Sequence, residues 1–226
     1  MKMLSTQRYN FTQSKRLYDS GIHEGMIIIP DISGYTRFVH STDVITGISI
    51  THELLSTIIE NDILDLQVSE IEGDAILFYK LGKTPPSAHK ILEQYEIMLE
   101  GFHEKLAQIN RKFGRSLDLS LKLVAHYGSI TEYSIGGFRK LYGKAVIEAH
   151  RLLKNSVNSR SYALLTDELI EASCPAQKKE SLIGFSASKL CEVYGGLRNI
   201  CFTYFDYEQE NAERMTNNMC EAYKIV

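Results

Sequence analysis

The sequence has no tryptophan, and it holds only four prolines and four cysteines in 226 residues. No apolar run approaches the ~18 residues of a membrane span, and the N-terminal stretch has no signal-peptide core, so no membrane partner is expected. A large charge of one sign is also missing. The formal balance of -3 gives no sign of a DNA or RNA partner. Cys174, Cys191, Cys201 and Cys220 all fall late and form no Cys-x-x-Cys pair. Neither a zinc clip nor a disulfide framework is indicated, and a reduced, cytoplasmic protein is the expectation. What remains is an ordinary globular composition, 44% apolar and 23% charged, sufficient for one large domain. Residues 1–24 read as a polar arm, 25–207 as the domain and 208–226 as a polar helical tail. There is no internal repeat.

Residues 26–38, MIIIPDISGYTRF, organise the rest. The isoleucine run predicts a short strand buried on its inner face. It ends in Asp31, a Ser-Gly turn follows at Ser33 and Gly34, and Thr36 is placed to cap a short helix. A carboxylate where a rigid strand stops, just before a row of turn amides, suits a cation held beside a phosphate. The same residue serves equally well as a plain turn cap.

Further along, Ile48, Leu54, Leu55, Ile58 and Ile59 recur at helical spacing over 44–63. Residues 64–79 read as a hairpin turning at Gly73-Asp74. Thr84-Pro85-Pro86-Ser87 starts an amphipathic helix that runs to about Phe113. LDLSLKLVAHY, 117–127, alternates as a half-buried strand, with 129–135 as its neighbour. After Gly136-Gly137 and FRKLYG comes a helix over 144–155. A strand at 162–165, a short helix capped by Thr166 or Asp167, and strands near 182–185, 189–194 and 199–205 complete the domain. Hairpins outnumber βαβ crossovers, which predicts an α+β fold with a mostly antiparallel sheet and helices packed on it.

Asp74, at its hairpin tip, is the natural partner for Asp31. Two carboxylates that converge repel unless a cation lies between them, and such pairs hold the metal ions of phosphoryl-transfer sites. Turn chemistry alone also places aspartates at hairpin tips.

The combination resembles the class III nucleotide cyclases, the adenylate and guanylate cyclase family. DISGYTRF is similar to their D-I-x-G-F-T motif, and EIEGDAILFYK to their glycine–aspartate hairpin. KLVAHYGSI is similar to R-x-G-I-H-x-G-x-V, LYGKAVIEAHRLL to V-W-G-x-x-V-N-x-A-x-R-L, and CEVYGGLRNICFTYF to the closing strand pair. The matches come in the family's order over about 25–207. The resemblance implies a ferredoxin-like core sheet with helices on one side, and a head-to-tail homodimer binding a nucleoside triphosphate at its interface. It implies two divalent ions, Mg or Mn, held by Asp31, Asp74 and the Ile32 carbonyl, with the amides of Ser33, Gly34, Tyr35 and Thr36 around the triphosphate. The second protomer would supply residues 142–151, with Arg151 stabilising charge on the α-phosphate. The implied reaction is attack of the ribose 3′-hydroxyl on that phosphate, giving a cyclic monophosphate and pyrophosphate.

Some catalytic positions depart from the family pattern. Ile147 stands where an asparagine orients the ribose. Glu70 and Lys140 occupy the base-reading positions, and Glu70 suits guanine while Lys140 cannot accept from an adenine amino group. The turn carrying a phosphate-binding lysine reads YGGL, 194–197. Against these losses, Arg139, Lys140, Lys144, Arg151, Lys154 and Arg160 crowd a segment whose one acid is Glu148. Lys144, Ile147, Arg151 and Lys154 share a helix face opposite Ala145, Ala149, Leu152 and Leu153. That face reads either as a solvated surface or as a phosphate-binding wall. The departures leave a second functional expectation, a degenerate cyclase homology domain acting as a nucleotide- or protein-binding regulatory module. His126 is expected to be a hydrogen-bonded core histidine, and His150 an interface or surface residue.

Overall fold

The computed structural model describes residues 21–173, 187–193 and 198–208. β1 (His23–Ser33) is an interior strand of the sheet, between β3 (Ala75–Leu81) and β4 (Ser120–Ile135), and its residues 25–30 are buried on both faces, not on an inner face alone. Strand alternation sends Met26, Ile28 and Ile32 into one core and Ile27 and Ile29 into another. The chain then turns at Gly34 (φ 89), where a Cβ would lie 2.5 Å from the Asp118 carbonyl oxygen, so no side chain fits. α1 (Tyr35–Ser41) starts directly from that glycine without a side-chain cap. Thr36 therefore lies inside the helix, not at its cap.

α2 (Val44–Glu60) is capped by Asp43, whose carboxylate accepts from the Thr46 amide at 3.0 Å. It ends before residue 63 because a buried side chain claims the next amides. Gln94 Oε1 accepts from Ile63 and Leu64 at 2.7 and 3.1 Å, while its Nε2 donates to the Asn61 carbonyl at 2.8 Å. Leu54, Leu55 and Ile58 are buried as expected, but Ile48 faces outward beside Val44 and Ile45. β2 (Gln67–Glu72) and β3 (Ala75–Leu81) make the hairpin, with Gly73 and Asp74 at its tip. α3 (Ala88–Phe113) runs from a Ser87 cap to a left-handed Gly114.

β4 (Ser120–Ile135) is one strand of 16 residues where two were expected. Gly128 causes no break, because it pairs with Gly25 of β1 and the ladder continues through it. The far end of β4 pairs instead with β5 (Phe138–Tyr142) across the Gly136-Gly137 turn. α4 (Lys144–Leu152), β6 (Tyr162–Thr166), α5 (Asp167–Ser173), β7 (Ala187–Val193) and β8 (Asn199–Asp206) follow. The strand expected at 182–185, the 194–197 turn, and all but the inner ends of the arm and tail lie outside the described residues.

The sheet order is β2-β3-β1-β4-β6-β8-β7, with β5 on β4; β4–β6 is a parallel pair and the others are antiparallel. This is the expected α+β arrangement. α2 and α3 pack on one face through Ile50, Leu54, Ile58, Ile91, Tyr95 and Phe102. α4 covers the other, with Ala145 and Ala149 against Ile27, Ile29 and Leu77, so helices lie on both faces and not on one side alone as the resemblance implied. Among the described residues no helix is long and apolar enough to cross a membrane.

The cysteine reading needs a correction. Cys191 and Cys201 are register partners in the β7–β8 hairpin and are joined by a disulfide. Ten residues apart in sequence, they face each other directly across two antiparallel strands, where side chains are close enough to bond. Cysteine usage therefore no longer argues for a reducing compartment.

Candidate functional site

Asp31 and Asp74 meet because β1 and the β2–β3 tip are tied together. Asp31 pairs with Ala75 of β3, and the Ile32 amide donates to the Asp74 carbonyl at 3.2 Å. Both acids open on a cavity of about 510 Å³ whose lining includes residues 32–36 and adds Arg37 and Lys122. The expected metal ligands and the expected cradle thus share one hollow. Ile32 has a buried side chain, so it meets this cavity through its main chain.

Electrostatics mark the pair as short of positive charge. Burial first, and then the neighbouring Asp31 carboxylate, push the Asp74 carboxyl up to about 6. Lys122 Nζ lies 3.4 Å from Asp31 Oδ2 with both side chains largely buried, and it supplies a single compensating charge. Among the described residues no cluster of three or more His, Cys, Asp or Glu side chains forms a closed metal cage. Two carboxylates and a main-chain carbonyl instead fit a hard divalent ion that takes its remaining oxygens from phosphate and water.

The positions expected to read the base also come together, but they engage each other. Lys140 of β5 donates to Glu70 of β2, and His150 Nε2 lies 3.6 Å from the other Glu70 oxygen. Glu70 and His150 line a smaller hollow of about 170 Å³ that reaches Asp31 and Asp74. Hence the carboxylate expected to read guanine is held by two nitrogens of its own chain.

α4 begins at Gly143, where a Cβ would lie 2.5 Å from the Ser129 carbonyl oxygen. The helix therefore starts pressed against β4, and its register decides which side chains face out. Lys144, Ile147, Arg151 and Lys154 are all exposed, as the helical spacing predicted. Lys144 leans 3.6 Å from Glu148 Oε1. Among the described residues no acid pairs with Arg151 or Lys154. Ile147 is 53% exposed and presents an apolar branch one turn before Arg151. Ala145, Ala149 and Leu152 are buried, Leu153 is half-buried, and Glu148 is buried among them.

Sequence reasoning missed Glu148 and Lys122. Glu148 is the hub of a charge network: it accepts from Arg198 Nε at 2.9 Å and meets His126 Nε2 at 3.1 Å. His126 Nδ1 contacts Thr166 Oγ1 at 2.9 Å, and Arg198 also reaches Glu168. Burial alone would raise the Glu148 pKa, but hydrogen bonds from His126 and Arg198 outweigh it and hold it at about 2. His126 is thus the hydrogen-bonded core histidine expected. A signal for Lys122 did exist. In LSLKLVAHY it falls on the strand face of Val124 and His126, opposite Leu121 and Leu123, and only the β1–β4 register reveals that this is the face of Asp31.

Comparisons with known proteins bear on the fold. A family described as a protein of unknown function, DUF2652, matches residues 51–162. An uncharacterised protein of Mycobacterium tuberculosis is 28% identical over 148 residues, 62% of this chain and 66% of that protein, so the match spans just under two thirds of the relative. Among solved structures, the guanylyl cyclase Cya2 superposes with a TM-score of 0.64 at 11% identity, covering 82% of this chain and 92% of that one. The adenylyl cyclase CyaB from P. aeruginosa gives 0.63 at 12% identity over 82% and 94%. A class III adenylyl cyclase-like ATP-binding protein from Pseudomonas aeruginosa gives 0.55 at 15% identity over 66% and 34%. The structural neighbours are class III adenylyl and guanylyl cyclases, and this chain has their fold.

Proposed function

We propose that the chain binds a divalent metal–nucleoside triphosphate between two copies of itself, head to tail, and converts it to a 3′,5′-cyclic monophosphate with release of pyrophosphate. The observation that carries this reading is the convergence of Asp31 and Asp74 on the cavity formed by residues 32–36. Two divalent ions, Mg or Mn, when bound there would activate the 3′-oxygen and stabilise the leaving phosphate. Asp31, Asp74 and the Ile32 carbonyl hold them, and the main chain of residues 33–36 lies against the triphosphate. Arg151, exposed and without an acidic partner among the described residues, supplies charge to the α-phosphate of the other protomer's nucleotide. Dimerisation is supported by large apolar side chains left exposed on the β4–β5 hairpin and α4: Ile135, Phe138, Tyr142 and Ile147 are 53–74% exposed, surface of the kind that a second copy would cover. Glu70 favours guanine once Lys140 and His150 yield to the base.

Incubating the protein with each of the four ribonucleoside triphosphates and Mn²⁺, with mass spectrometry for cyclic monophosphates and pyrophosphate, tests the reaction. A cyclic product that disappears in Asp31→Ala and Asp74→Ala supports it. Absence of any product, together with no metal-dependent triphosphate binding by calorimetry, ends it.

A further inference from the structure

We propose that the Cys191–Cys201 bond is a reversible thiol–disulfide exchange site, and that its redox state sets how firmly β7 holds the end of α4. This does not depend on the function proposed above. β7 is the last strand of the sheet and pairs with β8 alone. Five of its seven residues are exposed, and Leu190 and Glu192 are half-buried. A strand that buries so little surface of its own belongs to the part of a protein that opens first. The disulfide joins its middle to β8 and opposes that opening by restricting the freedom of the open state.

Strand alternation divides the tasks of β7 between its two faces. Lys189 shares the face of Cys191 and lies 2.7 Å from Asp167 of α5. Glu192, on the opposite face, reaches the loop that follows α4. One of its carboxylate oxygens accepts from the Ser156 amide at 2.9 Å and from the Ser156 hydroxyl at 2.5 Å. Leu190, Ile200 and Phe202 of the same hairpin pack with Leu152, the last residue of α4. Glu192 therefore follows the disulfide directly and grips the chain just beyond Arg151 and Lys154, both exposed.

Cys191 is exposed and Cys201 half-buried, so an incoming thiolate meets the Cys191 sulfur. It bonds to Cys191 Sγ as the bond to Cys201 breaks, and Cys201 leaves as a thiolate that takes up a proton. The second thiolate of a dithiol then displaces Cys191, which is protonated in turn. The dithiol ends as a disulfide, having passed two electrons and two protons to the cysteine pair. Without the cross-link β7 opens more often, Glu192 releases Ser156, and the basic end of α4 loosens.

Amide hydrogen exchange followed by NMR on the full chain tests this, with dithiothreitol as the dithiol and thiol alkylation to locate free cysteines. Reduction of the folded protein is expected to speed exchange of Ser156 and of the β7 amides bonded to β8 by about tenfold or more. Residues 25–30 of β1 keep their protection, and oxidised glutathione restores the slow pattern. Glu192→Ala speeds Ser156 while the disulfide stays closed, and Cys191→Ser shows the fast pattern without dithiol. With glutathione as a single thiol, the mixed disulfide maps to Cys191. The proposal is overturned if the bond resists dithiothreitol until the whole protein unfolds, or if β1 loses protection together with β7. It is equally overturned if Ser156 stays protected while β7 opens, or if glutathione is captured at Cys201.

Discussion

If Asp31 and Asp74 hold a cation as proposed, they carry opposite demands in the free and metal-bound protein, because acids that share a cation repel one another without it. Asp74→Asn is therefore expected to stabilise the metal-free protein while abolishing Mn²⁺-dependent triphosphate binding. Since Asp74 is only about half buried, solvent screening limits the gain to on the order of 1 kcal/mol; thermal melts with and without Mn²⁺ give the sign. Ile147 poses a different test. Its side chain is 53% exposed, so Ile147→Asn should change stability by less than about 0.5 kcal/mol. By restoring a polar group one helical turn before Arg151, it should raise the rate of cyclic-nucleotide formation by up to about 10²-fold. Equal rates for the two proteins would show that Arg151 and Ile147 do not face the nucleotide together.

At the scale of elements, α4 is locked by Glu148 and the β7–β8 hairpin by its disulfide. Glu148→Ala leaves His126 and Arg198 without their shared acceptor, and removing one partner of a buried charge network costs about 3 kcal/mol or more. Chemical denaturation measures this directly. The same group predicts an acid limb. Its folded-state pKa, about 2, lies below the ordinary 4.5, so its stabilisation is complete above about pH 4.5 and fades as pH falls from there toward 2. Glu148→Gln should flatten the stability profile across that window. In the hairpin, the Cys191–Cys201 bond closes a short loop, so a dithiol should lower stability by at most about 2–3 kcal/mol. Cys191→Ser should reproduce that loss and remove further sensitivity to the dithiol. Element identities were largely legible in advance, because α3 carries its cap and apolar period in the sequence and α4 its apolar period. The end of α2 was not legible. It is decided by Gln94, a buried amide from a distant helix that takes the amides of residues 63 and 64.

For the whole molecule, the proposed site is complete only when two chains meet. Asp31→Ala and Arg151→Ala proteins should each be inactive alone, whereas an equal mixture should recover about a quarter of the unaltered activity. Half of the random dimers are mixed, and each mixed dimer has one intact site of two. No recovery on mixing, with mixed dimers present by sedimentation or native mass spectrometry, would place both residues in the same protomer's site. What the sequence determined by itself was local: strand and helix periods, caps, the two acids at their strand ends, and the order of motifs that points to the fold. These follow from neighbours a few residues apart, which periodicity reports faithfully. The tertiary structure decided what depends on register. It set Lys122 beside Asp31, turned Glu70 toward Lys140 and His150, buried Glu148 against His126 and Arg198, and brought Cys191 opposite Cys201. All but the hairpin disulfide join elements remote in sequence, and a shift of one residue in strand pairing would carry every side chain of a strand to the opposite face.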